Sequence, residues 1–285
     1  MSNASIASLA ALLVQSPNSD APTDGIWLGI LYGFMMKPFV PLVGVVCYLT
    51  MVKMWEQRNR QQALAAKRAG TQLSSGPNLK ALIIAHNLVL AAYSIWTFAS
   101  YVPAMMQVVR MHGLKSGFCD SHGVLWSGKL LEHGFLFYLS KYYEFIDTAI
   151  ILAKGRPAGR LQTFHHAGAV SIMWLGNYLQ SPYLSFFVFE NSLIHSLMYT
   201  YYTLTAMGIK PPGKQLLTSL QISQFYIALT AGAVYAVLPG CQNGAQTVFT
   251  YIFVAYILEL IRLFTQFARK TYGPQTAAAP AKKRR

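Results

Sequence analysis

Two adjacent histidines, His165 and His166, stand in the stretch "LQTFHHAG" at the head of an apolar run. Imidazole is basic enough near neutral pH to serve as nucleophile or proton carrier. Three other polar groupings share its helical spacing. "KYYEFIDT" sets Lys141, Glu144, Asp147 and Thr148 at i, i+3, i+6 and i+7, on one helical face. "NSLIHSLMYTYY" lines up Asn191, His195, Tyr199 and Tyr202 at i, i+4, i+8 and i+11. "TSLQISQF" places Thr218, Gln221 and Gln224 three residues apart, and Gln162 precedes His166 by one turn. Four polar stripes on neighbouring helices can converge on one interior cavity.

The chemistry open to such a set is narrow. Three clustered histidines could ligate zinc, but His86, His112, His122 and His133 lie elsewhere and no HxxxH spacing occurs, which argues against an oxygen-activating metal enzyme. There is no Gly-x-Ser-x-Gly elbow and no phosphate-binding Gly-x-x-x-x-Gly-Lys-Ser/Thr loop. An imidazole that attacks a thioester, with a second imidazole as general acid or base, remains. Interhelical hydrogen bonding alone would explain Thr218, Gln221 and Gln224 equally well. Lys141, Glu144 and Asp147 can also neutralise one another and fix packing. His86 and His133, each alone on an apolar stretch, read as packing residues.

These residues are held by membrane helices. The 285-residue chain is 54% hydrophobic and 11% charged, with mean hydropathy +0.35. Soluble domains carry about 25% charged residues. Windows near the bilayer-spanning length of about 20 residues recur. They cover residues 27–51, 82–108, 130–153, 161–178, 183–207, 215–238 and 246–268. The expected fold is therefore an all-α integral membrane protein of seven transmembrane helices, with a polar catalytic chamber opening to the cytosol. Its expected parts are an N-terminal luminal tail (1–25), a transmembrane domain (26–270) and a basic cytosolic tail (271–285). Five of the nine acids, Glu132, Glu144, Asp147, Glu190 and Glu259, fall inside the windows, where ionisable groups are costly and mark function.

Charge sets the expected orientation. Formal net charge is +14. Lys53, Arg58, Arg60, Lys67, Arg68 and Lys80 follow the first window. Lys154, Arg156 and Arg160 follow the third, and Lys210 and Lys214 the fifth. The segments after the fourth and sixth carry no Lys or Arg, while Arg110, Lys115 and Lys129 after the second are a mild exception. The positive-inside rule then places the odd connections and the C-terminus in the cytosol, and the N-terminus in the lumen. Contact with anionic lipid accounts for the positive charge, and a nucleic-acid partner is not expected. Cys47 is expected to be buried in the first span. Cys119 and Cys241 fall in two connections on the non-cytosolic side, where disulfides are stable, and are expected to pair.

In this order and on this frame, the four motifs resemble those of the ELO-type fatty acid elongases, the membrane 3-oxoacyl-CoA synthases of the endoplasmic reticulum. "KYYEFIDT" is similar to the family's K-x-x-E-x-x-D-T box and "QTFHH" to its histidine box. "NSLIHSLMYTYY" is similar to N-x-x-x-H-x-x-M-Y-x-Y-Y, and "TSLQISQF" to T-x-x-Q-x-x-Q-F. The resemblance implies an acyltransferase that condenses a long-chain acyl-CoA with malonyl-CoA, through an acyl-histidine, to a 3-oxoacyl-CoA two carbons longer, with release of CoA and CO2. It implies His165 as nucleophile, with His166 and His195 moving protons or holding the enolate and Asn191 orienting His195. Lys141, Glu144, Asp147, Gln162, Tyr199, Tyr202, Gln221 and Gln224 would line the substrate and CoA site. No cofactor beyond the two CoA substrates is implied. The ketoacyl reductase and dehydratase of the cycle are implied partners, and a homo-oligomer is compatible with the sequence. Lys282 and Lys283 resemble a dilysine retrieval signal. The commoner box is H-x-x-H-H, and Gln162 in its first position cannot titrate. The Q-x-x-H-H form resembles a plant and microbial branch, several of whose members extend polyunsaturated chains. The competing reading is a seven-span transporter or receptor without catalysis.

Overall fold

The computed structural model describes residues 29–71, 78–126 and 128–273. The N-terminal tail, most of the C-terminal tail, Lys282 and Lys283 lie outside the described residues. Every regular element among them is helical: α1 (Gly29–Met35), α2 (Phe39–Ala69), α3 (Lys80–Cys119), α4 (Gly128–Tyr143), α5 (Phe145–Ala153), α6 (Gly159–Tyr178), α7 (Pro182–Met207), α8 (Lys214–Val237) and α9 (Gly244–Tyr272).

Local chemistry sets the ends. Pro182 opens α7 at the first turn, where its missing N–H costs nothing, and Gly208 closes the helix at φ +100°. Asn243 and Gln246 cap α9 reciprocally, each side chain accepting from the other's backbone N–H at 2.9 and 3.0 Å. Inside α3, Gly113 leaves helical geometry (φ +79°, ψ 167°) and kinks the last turns away.

The helices α4 and α5 form one rod interrupted at Glu144. α3 packs along α7, α8 against α9 and α7, and α6 against α2, α4 and α9. α6 and α8 start near the wide cavity described below and end near the disulfide, whereas α7 and α9 run the other way. α6, at 20 residues, spans about 30 Å between these ends.

Among the described residues four helices, α2, α3, α8 and α9, are long and apolar enough to cross a membrane. The expected windows locate most rods, but the boundaries differ in several places. The first window, 27–51, is broken at residues 36–38 ahead of α2, and α2 runs on to Ala69. Its polar second half keeps helical hydrogen bonding where hydropathy has already fallen. Arg110, His112, Lys115 and Cys119 belong to α3 rather than to a connecting loop. Cys47 is exposed on α2, not buried, because an apolar side chain facing outward is stable where lipid is the solvent.

Candidate functional site

Lys141 and Glu144 face each other across the interruption between α4 and α5. Lys141 Nζ donates to Glu144 Oε1 at 2.6 Å, and both side chains are almost fully buried, 4% and 3% exposed. The ammonium also lies 3.9 Å from the centre of the Phe137 ring. His195 Nδ1 of α7 stands 3.8 Å from the same carboxylate oxygen. One acid thus links the lysine to a histidine on a different helix.

One turn on, Asp147 is held on both oxygens. His86 Nε2 of α3 lies 2.9 Å from Oδ1, and the Tyr199 hydroxyl of α7 donates to Oδ2 at 2.9 Å. Neighbouring Thr148 shares a hydrogen bond with Tyr48 of α2 at 3.0 Å and accepts from the Gln162 amide at 3.3 Å.

The α6 residues complete the group. Gln162 Nε2 lies 2.7 Å from His166 Nε2, so the first and last residues of "QTFHH" meet across one turn of α6. His166 Nε2 is thus occupied by the amide, while its Nδ1 is buried with no hydrogen-bond partner among the described residues. The rings of His165 and His166 sit nearly perpendicular, 5.3 Å apart. His165 contacts Tyr256 of α9 through its Nδ1 at 3.3 Å and its carbonyl at 2.9 Å.

A cavity of about 940 Å³ opens beside these groups. Glu144, Asp147, Gln162, His165, His166 and His195 line it, as do Tyr199, Tyr202, Gln221 and Gln224. Apolar walls come from residues such as Ile194, Phe225 and Phe264, and cations stand at Lys154, Arg160, Lys214 and Lys270. Arg156 and Lys210, which lie in the same two connections as Lys154 and Lys214, are not in its wall. Lys141 and Asn191 stand behind it. Asn191 does not bond His195 in this arrangement: its Nδ2 donates to Gln224 Oε1 at 3.4 Å, because the amide points toward α8. Gln221 Nε2 reaches Met198 Sδ at 3.0 Å. Among the described residues no group of three His, Cys, Asp or Glu side chains is arranged to hold a metal ion.

At the opposite end, Cys119 and Cys241 are joined, tying the end of α3 to the turn before α9 across 122 residues of chain. His133 packs its ring against Trp96 and Tyr101, at 4.5 and 5.9 Å. His86, read from sequence as a packing residue, instead belongs to the cavity group through Asp147. Tyr48 and Tyr256 carried no sequence signal, since each stands alone in an apolar helix. The one available cue was Gly168: a Cβ there would lie 2.2 Å from the Tyr256 ring, so the glycine admits it.

Residues 33–283 match the ELO: GNS1/SUR4 family, and the chain belongs to it. It is 32% identical over 210 residues to very long chain fatty acid elongase 3 of Homo sapiens, covering 69% of this chain and 74% of that protein. Very long chain fatty acid elongase 5 of Xenopus laevis is 30% identical over 207 residues, 70% and 68% of the two chains. Fatty acid elongase A of Dictyostelium discoideum is 30% identical over 198 residues, 67% and 72% of the two chains. Family and apolar helices together define a multi-pass membrane protein.

Proposed function

We propose that this chain is the condensing enzyme of a fatty acid elongation cycle. The observation that carries the reading is the convergence of His165, His166 and His195, from two helices, on one cavity with apolar walls and cations at one end. An acyl-CoA has an apolar tail, a thioester and a phosphate-rich head, and the three parts of the cavity suit them in that order. The names of its relatives support the same reaction class.

In this mechanism the His165 lone pair attacks the thioester carbon, and the C–S bond breaks to release CoA thiolate. Malonyl-CoA then loses CO2. Its carbanion attacks the acyl carbon, the N–C bond breaks, and the electron pair returns to His165. The product is a 3-oxoacyl-CoA longer by two carbons. His195, within reach of the Lys141–Glu144 pair, serves proton transfer or holds the enolate. Lys154, Arg160, Lys214 and Lys270 meet the CoA phosphates. Asp147, fixed by His86 and Tyr199, holds the α5 wall in register.

The rods cross the membrane seven times, with the cavity end in the cytosol, the disulfide end in the lumen, and the chain in the endoplasmic reticulum. Clustering of Lys and Arg at the cavity end supports this orientation. Gln162 in the histidine box supports a polyunsaturated acyl substrate. A separate reductase and dehydratase would process the product.

The test is incorporation of labelled malonyl-CoA by membranes containing the full chain, with saturated, monounsaturated and polyunsaturated acyl-CoAs in parallel. A labelled 3-oxoacyl product with any of them supports condensation, and the preferred tail ranks the substrates. No product with any member, from folded protein, overturns the reading in favour of a transporter or receptor.

A further inference from the structure

The hydroxyl of Tyr256 makes two contacts with one residue, and a hydroxyl has only one proton. Its 2.9 Å contact is with the His165 carbonyl, which can only accept. The tyrosine proton is therefore spent there. The second contact, 3.3 Å to His165 Nδ1, can be a hydrogen bond only if the imidazole donates. We infer that Tyr256 is a positioning residue that fixes His165 as the Nδ1–H tautomer, leaving the lone pair on Nε2, the nitrogen directed away from α9, to attack the acyl thioester.

The surroundings commit the ring to this place. Gly168 stands one turn beyond His165, and any side chain there would collide with the Tyr256 ring. Phe164 stacks on the same ring, with centroids 5.5 Å apart. The anchor on the His165 carbonyl holds the hydroxyl against the helix that carries the nucleophile, so α6 and α9 move as one at this point. The neighbouring imidazole is engaged differently: the Gln162 amide lies 2.7 Å from His166 Nε2, and His166 Nδ1 is buried with no hydrogen-bond partner among the described residues. The two adjacent histidines thus differ at Nε2, which is left open on His165 and occupied by Gln162 on His166. That asymmetry assigns attack to His165 rather than His166. When Nε2 acquires the acyl group, the positive charge left on the ring sits on the N–H that faces the Tyr256 oxygen, which stabilises it.

The inference rests on the reading of His165 as nucleophile, and two measurements separate the two claims. In the first, the full-length protein in detergent or nanodiscs is mixed with radiolabelled acyl-CoA without malonyl-CoA, and labelled enzyme and released CoA are followed. Label on the wild type and none on His165→Ala supports the nucleophile; no label on the wild type overturns that reading. In the second, Tyr256→Phe keeps the ring against Phe164 and Gly168 and loses both hydrogen bonds. Its acylation rate is expected to fall about 10- to 100-fold at unchanged acyl-CoA KM, the loss of hydrogen bonds to a group that becomes charged. An unchanged acylation rate in a wild type that does acylate overturns the Tyr256 role and leaves the nucleophile standing. Gly168→Ala supplies an independent check, because it displaces the ring with the hydroxyl intact. It should slow acylation in the wild type and add little in the Tyr256→Phe background; additive losses would show that packing, not the tautomer, is being read. Nitrogen-15 spectra of labelled histidine should lose the Nδ1–H signature of one residue in Tyr256→Phe.

Discussion

The helices that carry the chemistry and the helices that face outward are built differently. α2, α3, α8 and α9 are apolar over membrane-spanning lengths and bear most of the large exposed apolar side chains, Leu42, Leu88, Ile95, Ile227 and Leu258 among them. The rods α4–α5, α6 and α7 fall short of that standard, and they hold Lys141, Glu144, His165, His166, Asn191 and His195. Among the described residues α6 bears no large exposed apolar side chain at all. A helix surrounded by other helices need not present an apolar surface to lipid, and its polar groups find partners in its neighbours. Weak hydropathy in the middle of an apolar chain therefore marks the interior of the bundle and not its surface.

The strongest way to break this comparison is to remove the inner chemistry. His165→Ala should lower condensation on the order of 10³-fold while the protein still elutes and melts as wild type, assayed by labelled malonyl-CoA. Retained activity would reduce the histidine to a packing residue of an inner helix.

Next come two ion pairs with the same i, i+3 spacing. Lys141→Ala leaves Glu144 buried without its partner and should cost about 3–5 kcal/mol of stability, seen as a large fall in melting temperature. Glu259 of α9, partly exposed and paired with Arg262 of the same helix and Arg160 of α6, should tolerate Glu259→Gln with no measurable change in the same assay. Equal losses would mean that the inner and outer environments do not differ as described.

The disulfide end separates stability from chemistry. Cys241→Ser should lower stability by about 2–5 kcal/mol, because the bridge closes a long loop. Condensation at low temperature should survive, since the bridge lies at the far end of α6 from the cavity. The smallest effect is expected on the outer face. Leu88→Ala, half exposed on α3, should change stability by within about 0.5 kcal/mol in detergent. The same truncation at fully buried Leu184 on α7 should cost about 2–5 kcal/mol.

The polar stripes were legible in the sequence because polar residues at helical spacing stand out against an apolar background. Eleven of the residues so marked line the cavity. Single residues were not legible. His86 and Tyr256 belong to none of the four stripes, so those stripes do not reveal them. Asn191 was correctly placed on its helix face, but its bond to Gln224 depends on where α8 sits. Cys47 looked buried because apolar residues usually are, and that rule assumes water as the solvent.

The sequence by itself determined that the chain is helical and apolar, which faces of its helices are polar, and how its charge is distributed along the chain. These follow from the chemistry of each residue and the fixed pitch of a helix, which need no partner. Only the tertiary structure decided which helix meets which, and so which nitrogen of His165 faces the Tyr256 hydroxyl. Hydrogen-bond roles depend on the atom opposite: for His165 that atom lies 91 residues away at Tyr256, whereas His166 meets Gln162 one turn away on its own helix, a neighbour the helical pitch already gives.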